Sequence, residues 1–442
     1  RHEPGGPDEA RGGAFLFDVI KQDDGTFSLS MSDKFGREVN TNPEGDYSLV
    51  DASLDSGAEL SFAANPEEIF QHAVEALQNM RWSEALAMVS EIAGECSRSD
   101  AVSILQHLLD RRYPTGTLRR SRWLDIVEHA LISVLMSSAS APCDAFIGQK
   151  TLGHRPEPVN SRQAIVVDAR PYPIEGTESL ARELVALHGE GWRHFHIINC
   201  RGHRFIGNGL GQDTRGVSID VYQSAGDYLA SGNDGMTIHM HGNGQDQIGQ
   251  IHKSGTTVVH GDVGQCYGYG AKGGRLFIQG NAAGRPMINS VGGPKLVVNG
   301  TALDYLAESF MAGDPLDKDN PGGFVIINGI GFSAKGEITE LETPYPGGNL
   351  FSLSSGGAIY VRDPYLRLSP SQLNGGEFCD LSEEDWVLVE DMLVENQQHF
   401  GIPLARLLTV DGELRAPAEV YRKIIPLKNK ALSVETAWAG KH

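Results

Sequence analysis

The sequence predicts a mainly β protein: a glycine-punctuated β-solenoid, preceded by a small β unit and a helical domain and followed by a helical tail. Three observations predict it. A short β run that ends in glycine recurs with a fixed period through the second half of the chain. The apolar residues inside these runs alternate so that they face one way. Glycine is enriched, at 53 of 442 residues, and the excess falls in the same half. The first half therefore needs a different architecture.

The runs are MTIHMHG after Gly235, TTVVHG after Gly255, RLFIQG after Gly274, PKLVVNG after Gly293 and FVIING after Gly323. AIYVRD follows Gly357 without a closing glycine. The closing glycines Gly242, Gly261, Gly280 and Gly300 stand 19, 19 and 20 residues apart. A strand this short cannot bury its own apolar face, so the units must stack. Positions two and four before the closing glycine share a face, because strand side chains alternate. They hold Met240 and Ile238, Val259 and Thr257, Ile278 and Leu276, Val298 and Leu296, and Ile327 and Val325. All but Thr257 are apolar, which makes them the inner ladder. Glycines belong at the turns, where the backbone bends sharply. The inserts MAGDPLDKDNP and GFSAKGEITELETPYPGGN lengthen the last two periods and read as loops that contact partners.

The other segments follow in order. Residues 1–13 are polar and read as a flexible tail. Residues 14–62 alternate in polarity around Asp24-Gly25, as a small β unit with a hairpin would. Residues 63–140 form a helical domain. Asn65-Pro66-Glu67-Glu68 is a helix start, and four amphipathic segments follow it. The first two faintly resemble a tetratricopeptide-type hairpin, against the plainer reading of an ordinary helical domain. Residues 141–162 are a linker rich in small residues and proline. Residues 163–370 hold a β-α-β entry (AIVVDAR, a helix over 177–188, HFHIINC) and the repeats. Residues 371–442 are the helical tail, in which LSEEDW marks a helix start.

Composition limits function. The 37 basic residues against 57 acidic ones leave a formal charge of −20. That disfavours nucleic acid and anionic membrane as partners. No stretch approaches the roughly 18–20 apolar residues of a membrane span. The N-terminus shows no basic-then-apolar signal pattern, so a cytoplasmic location is expected. Five scattered cysteines without a C-x-x-C pair suit a reducing compartment and do not suit an iron–sulfur cluster on this chain. Cys266 and Cys379 read as buried and inert. Arg119-Arg120-Ser121-Arg122 reads as a solvated helix end or an interface patch. The string Gly207-Asn208-Gly209-Leu210-Gly211 superficially resembles a phosphate loop. Strands follow it rather than a helix, so it reads as a turn.

The candidate metal residues are His239, His241 and His260. The first two are two apart on one strand, opposite Ile238 and Met240. His260 takes the place of His241 one repeat on, about 4.8 Å away. His252 lies in the turn between. Such a trio can ligate zinc or copper. The competing reading is a polar outer ladder, continued by Gln279, Asn299 and Asn328 in the same column. No catalytic or cofactor-binding residue is assigned.

Longer stretches carry a family resemblance. VVDARPYPIEGTESLARELVALHGEGWRHFHIINCRGHRFIGNGL, SAGDYLASGNDGMTIHMHGN, GDVGQCYGYGAKGGRLFIQGNAAG and GGNLFSLSSGGAIYVRDP resemble successive parts of the GXGXG domain of the glutamate synthase large subunit. NGGEFCDLSEEDWVLVEDMLVENQQHFGIPLARLL and VYRKIIPLKNKAL resemble its C-terminal tail, so the likeness runs from about Val166 to Leu427. It implies a right-handed single-stranded β-helix. It also implies a non-catalytic scaffold subunit of a multi-subunit glutamate-synthase-like complex, a hetero-oligomer docking amidotransferase-like or flavin and iron–sulfur partners. Those cofactors are expected on the partner subunits. No cysteine precedes Cys96, and neither a flavin barrel nor a three-cysteine cluster motif is visible, so this chain reads as a stand-alone version of the domain. Residues 1–160 match nothing recognised in that subunit. One alternative is the same role in a molybdenum or tungsten oxidoreductase like formylmethanofuran dehydrogenase, with molybdopterin on a partner. The second is a metal-binding β-helix enzyme. A six-residue acyltransferase repeat and an acidic pectin-cleaving groove are both missing from the pattern.

Overall fold

The computed structural model describes residues 65–333 and 336–427, together with three strands nearer the N-terminus. The chain divides into two compact units, Arg1–Ser53 and Leu54–His442. In the first, β1 (Phe15–Lys21) pairs antiparallel with β2 (Phe27–Asp33), and β2 pairs with β3 (Glu38–Val39). The Asp24-Gly25 turn and the tail over 1–13 lie outside the described residues.

The second unit opens with α1 (Pro66–Leu77), α2 (Trp82–Glu95), α3 (Arg98–Asp110) and α4 (Arg120–Met136). The Asn65 side chain accepts the Glu68 N–H at 3.0 Å, Pro66 takes the first helical position, and Glu67 and Glu68 occupy the first turn. This is the start that the four residues predict. Helix α3 packs against α1, α2 and α4, with Ile104, Leu105, Leu108, Trp123 and Val127 fully buried among them. The basic run lies at the start of α4, with Arg119 and Arg122 exposed as a solvated helix end would have them and only Arg120 turned inward. Arg120 is buried and donates to the carbonyls of Tyr113 and Arg111.

The sheet follows. Its parallel part consists of β4 (Phe146–Gly148), β5 (Ala164–Asp168), β6 (His194–His203), β7 (Ser218–Ala225), β8 (Asp234–His241), β9 (Ser254–Val259), β10 (Arg275–Ile278), β11 (Lys295–Val298), β12 (Phe324–Ile327) and, after a hairpin, β15 (Ala358–Arg362). Helix α5 (Leu180–Gly189) joins β5 to β6. The hairpin is β13 (Ile330–Phe332) with β14 (Ile338–Glu340), so the second insert carries strands of its own. Beyond β15 come β16 (Gly376–Cys379), α6 (Glu383–Phe400), α7 (Leu404–Leu408), β17 (Thr409–Val410), β18 (Glu413–Leu414), α8 (Pro417–Val420) and β19 (Tyr421–Pro426). Strand β19 pairs antiparallel with both β15 and β16, and β16 forms that edge. At the opposite edge is β4, which comes from the expected linker.

Each period supplies one strand, in strict register with the next: Leu276 sits beside Thr257 and Leu296, and Ile278 beside Val259 and Val298. All ten expected inner positions are fully buried. Between strands the chain makes five-residue turns whose first, third and fifth residues have positive φ, as at 247, 249 and 251 and again at 266, 268 and 270. The second residue points into the core, as Leu229, Ile248, Tyr267 and Leu306 do. The first and fifth N–H groups donate to the following repeat and the third to the preceding one: Gln247 to Gln265, Ile251 to Tyr269, and Gly249 back to Leu229. The string over 205–209 is a turn of the same kind: Phe205, Gly207 and Gly209 have positive φ, and the Phe205 N–H donates to the Asp227 carbonyl of the following repeat.

Two glycine positions show why the residue recurs. Gly255 has φ +89°, and a Cβ there would lie 2.4 Å from the Met236 carbonyl oxygen. Gly261 has no positive φ, but its Cβ would strike Asn243 Oδ1 at 2.4 Å. That oxygen accepts the Asp262 N–H, Asp262 accepts the Asn281 N–H, and Asn281 accepts the Thr301 N–H.

The expected class is overturned. The described residues carry eight α-helices and one 12-stranded, mostly parallel sheet, with about 27% helix and 23% strand. The protein is α/β, not mainly β, and not a single-stranded right-handed β-helix. The reason lies on the outer face of the strands. The repeat pattern counts strands only and assigns that face to water. Helices cover it instead. At the β4–β7 end, Val166, Ile198 and Tyr222 pack under α1–α4. Further along, Val258, Phe277, Val297 and Ile326 pack under α6, against Val389, Met392, Leu393 and Phe400. Each fully buried side chain of this kind contributes about 1.5–3 kcal/mol. Helix α6 starts at a reciprocal Ser382–Asp385 cap and stops at Gly401, with φ 65°.

Candidate functional site: a buried histidine–aspartate cluster

Two columns of side chains cross the covered face. Strand register sets His196, Asp220, His239 and Val258 side by side in the first. The second runs Tyr222, His241, His260, Gln279, Asn299 and Asn328. Its early members are flat rings that stack. Tyr222 and His241 have centroids 4.5 Å apart, and His241 and His260 are 5.1 Å apart. Its later members are amides with partners of their own. Gln279 donates to the Asp110 carbonyl, and Asn299 exchanges two hydrogen bonds with Asn396 of α6. The expected outer polar ladder is present in composition, but it does not face solvent.

The three predicted histidines are brought together where the two helical covers meet. Asp110 ends α3, while His399 and Phe400 end α6, and the Arg112 N–H donates to the Phe400 carbonyl at 2.8 Å. His241 lies between two carboxylates. Its Nδ1 is 2.9 Å from Asp110 Oδ1, and its Nε2 is 2.9 Å from Asp220 Oδ1. His239 Nδ1 is 3.2 Å from His260 Nε2. His260 Nδ1 is buried without a hydrogen-bond partner, 3.7 Å from Asp110 Oδ1. Phe400 seals His260 from above, edge to face at 5.2 Å. His252 lies elsewhere, held on the inner side by Asn233, Thr257 and the Gly273 carbonyl.

The electrostatics follow from this geometry. Burial opposes a charge on His241, but Asp110 and Asp220 outweigh it and push its pKa from 6.5 up to about 10. Burial would raise Asp220 too, yet His196 and His241 hold it well below the usual aspartate range. Asp110 moves the other way, because burial outweighs the His241 charge. Burial, followed by the neighbouring His241 and His239, holds His260 well below 6.5 and neutral. Burial likewise takes His239 down to about 4.

A pocket of about 660 Å³ reaches this cluster at His241, bordered by Glu128, Arg201, Gln223 and Asn243. Burial pushes the Glu128 carboxyl up from 4.5, against a hydrogen bond from Gln223. Cys200, also on the pocket wall, is pushed by burial up to about 12 and is no nucleophile at neutral pH. Cys266 is only half-buried and Cys379 is exposed, so neither is the buried thiol expected of it.

Among the described residues, the donors whose ligand atoms all lie within 4.8 Å of one another are Asp110, His241 and His260. His239 touches this set but is not part of it. Asp110 was not legible as a member, because 131 residues separate it from His241. Asp220 was. It sits in SIDVYQSA, one period before the first recognised run, at the alternation position that matches His239. No protein-family model matches this chain, and a search of curated proteins finds no match.

Proposed function

We propose that this chain is a non-catalytic scaffold subunit of a multi-subunit, glutamate-synthase-like oxidoreductase complex, and that it docks amidotransferase-like or flavin and iron–sulfur partners. One observation carries the reading. The tail that resembles the family's C-terminal segment is built into the sheet that the repeats form. Strand β19 extends the sheet at β15, and α6 lies over β9–β12. The segments that share the resemblance thus make one continuous body, as a docking platform requires. Further support comes from the first insert. Pro315 and Leu316 line a groove of about 700 Å³ with Leu353 and Leu427, and those two leucines are 77% and 45% exposed. Apolar exposure of this kind suits a protein contact.

Tagged full-length chain purified from its native cells tests the proposal. The expected result is a stoichiometric complex with flavin or iron–sulfur absorbance on the co-purifying chains. A lone monomer that turns over substrate by itself would falsify it.

A further inference from the structure

We propose that Asp110, His241 and His260 bind one divalent transition-metal ion of the zinc class, which ties α3 to the sheet. The inference is independent of the scaffold reading. The three donors come from the end of α3, from β8 and from the residue after β9. Both histidines present Nδ1 toward Asp110, at 2.9 and 3.7 Å from its Oδ1. A tetrahedral zinc ion with bonds of about 2.0–2.2 Å needs donors roughly 3.3 Å apart, and these two distances straddle that value.

The far side of each ring is also fixed. His241 Nε2–H donates to Asp220 Oδ1 at 2.9 Å. His260 Nε2 meets His239 Nδ1 at 3.2 Å, so with a hydrogen on Nε2 it leaves the Nδ1 lone pair free. Metal-ligating histidines are held in just this way, with the outer N–H given to a carboxylate or another acceptor. His239 is therefore a positioning residue and not a ligand.

A purely structural Asp–His pair accounts for His241 but not for His260. The His260 side chain is 4% exposed, and its Nδ1, aimed at Asp110, has no partner. A buried polar atom without a partner costs about 1–3 kcal/mol. A metal ion bound by these donors removes that cost. One carboxylate and two imidazoles suit zinc and do not suit calcium or magnesium, which want oxygen donors. Three protein ligands leave a fourth position on a tetrahedral ion.

The test uses the full chain, stripped with a chelator and titrated with zinc and, separately, with cobalt(II). The expected result is one equivalent bound and the visible absorption of tetrahedral cobalt. His260→Phe keeps the stacked ring but removes the donor, and should weaken binding at least a hundredfold. His239→Gln should weaken it about 10–100-fold, as changes behind a ligand do. His154→Gln, at an exposed histidine outside the cluster, should change nothing. No saturable uptake by the unmodified chain overturns the proposal whether or not the variants fold. Equal binding by a folded His260→Phe chain overturns it as well, because the ion would then sit elsewhere.

Discussion

Replacing Asn396 by leucine should loosen α6 from the sheet, and the size of the effect can be worked out from the amides involved. Asn396 and Asn299 are both fully buried and face each other across the α6–β11 contact. Each donates its Nδ2 to the other's Oδ1, at 2.8 and 2.9 Å. Asn299 also donates to the Ile278 carbonyl and accepts from Asn328, whose Oδ1 in turn accepts the Tyr421 hydroxyl. Asn396→Leu conserves shape but strands one Asn299 N–H and one lone pair. A stranded buried group costs about 1–3 kcal/mol, partly offset by the better burial of leucine. The expected net loss is about 1–3 kcal/mol. Urea unfolding followed through Trp386 on α6 measures it, with the midpoint lowered and the slope unchanged. A double-mutant cycle with Asn299→Leu should give a coupling of about 1–2 kcal/mol. A single variant within about 0.3 kcal/mol of the parent, or strictly additive effects, would refute the view that this amide pair seats the helix.

Three further outcomes are expected. Gly255→Ala should cost about 3 kcal/mol or more, since its Cβ meets the backbone of Met236. Gly153→Ala, with φ +74° and open space around it, should cost only about 1 kcal/mol of backbone strain, and thermal melts of the two compare them directly. Asp385 is fully buried and accepts from Lys423, Tyr360 and Ser382. Burial opposes its charge, but these donors hold its pKa below 3.8, so its stabilisation is present above pH 3.8 and is lost as pH falls through the lower folded value. Asp385→Asn should therefore cost about 3 kcal/mol at neutral pH and flatten the acid limb of the stability curve. Burial, then Arg111, lowers His107 to about 4 against the pull of Glu67. The folded chain resists protonation there, so stability should fall as pH drops from 6.5 toward 4, and His107→Gln should remove that slope in denaturant titrations at stepped pH.

Much of the strand layer was legible. The closing glycines at 242, 261, 280 and 300 mark one strand each, and the alternation between them picks the buried face. The period is readable because neighbouring strands repeat one local solution to one packing problem. Strand β7 was missed because Gln223, and not glycine, stands at the place that Gly242 holds one repeat on, and Asp220 was missed with it. The alternating positive-φ turns were hidden because residues such as Gln247, Cys266 and Arg285 occupy positions where a pattern search looks for glycine. The first helix and α6 were visible from their caps, which are local by nature.

The sequence by itself therefore determined most of the repeat strands, their period, the inner ladder and the coincidence of three histidines in two adjacent runs. Tertiary structure alone decided what covers the other side of those strands. Helices far away along the chain lie on it, as Asp110 to His241 and Asn299 to Asn396 show, 131 and 97 residues apart. That choice turned a supposed mainly β chain into an α/β one. It also turned an exposed histidine ladder into a buried cluster whose decisive members, Asp110 and Asp220, set its charge. The physical reason is that a strand pattern records which face is apolar. A face of histidine, glutamine and asparagine can be satisfied equally by water or by a helix that supplies matching hydrogen bonds. Only the folded chain chooses between them.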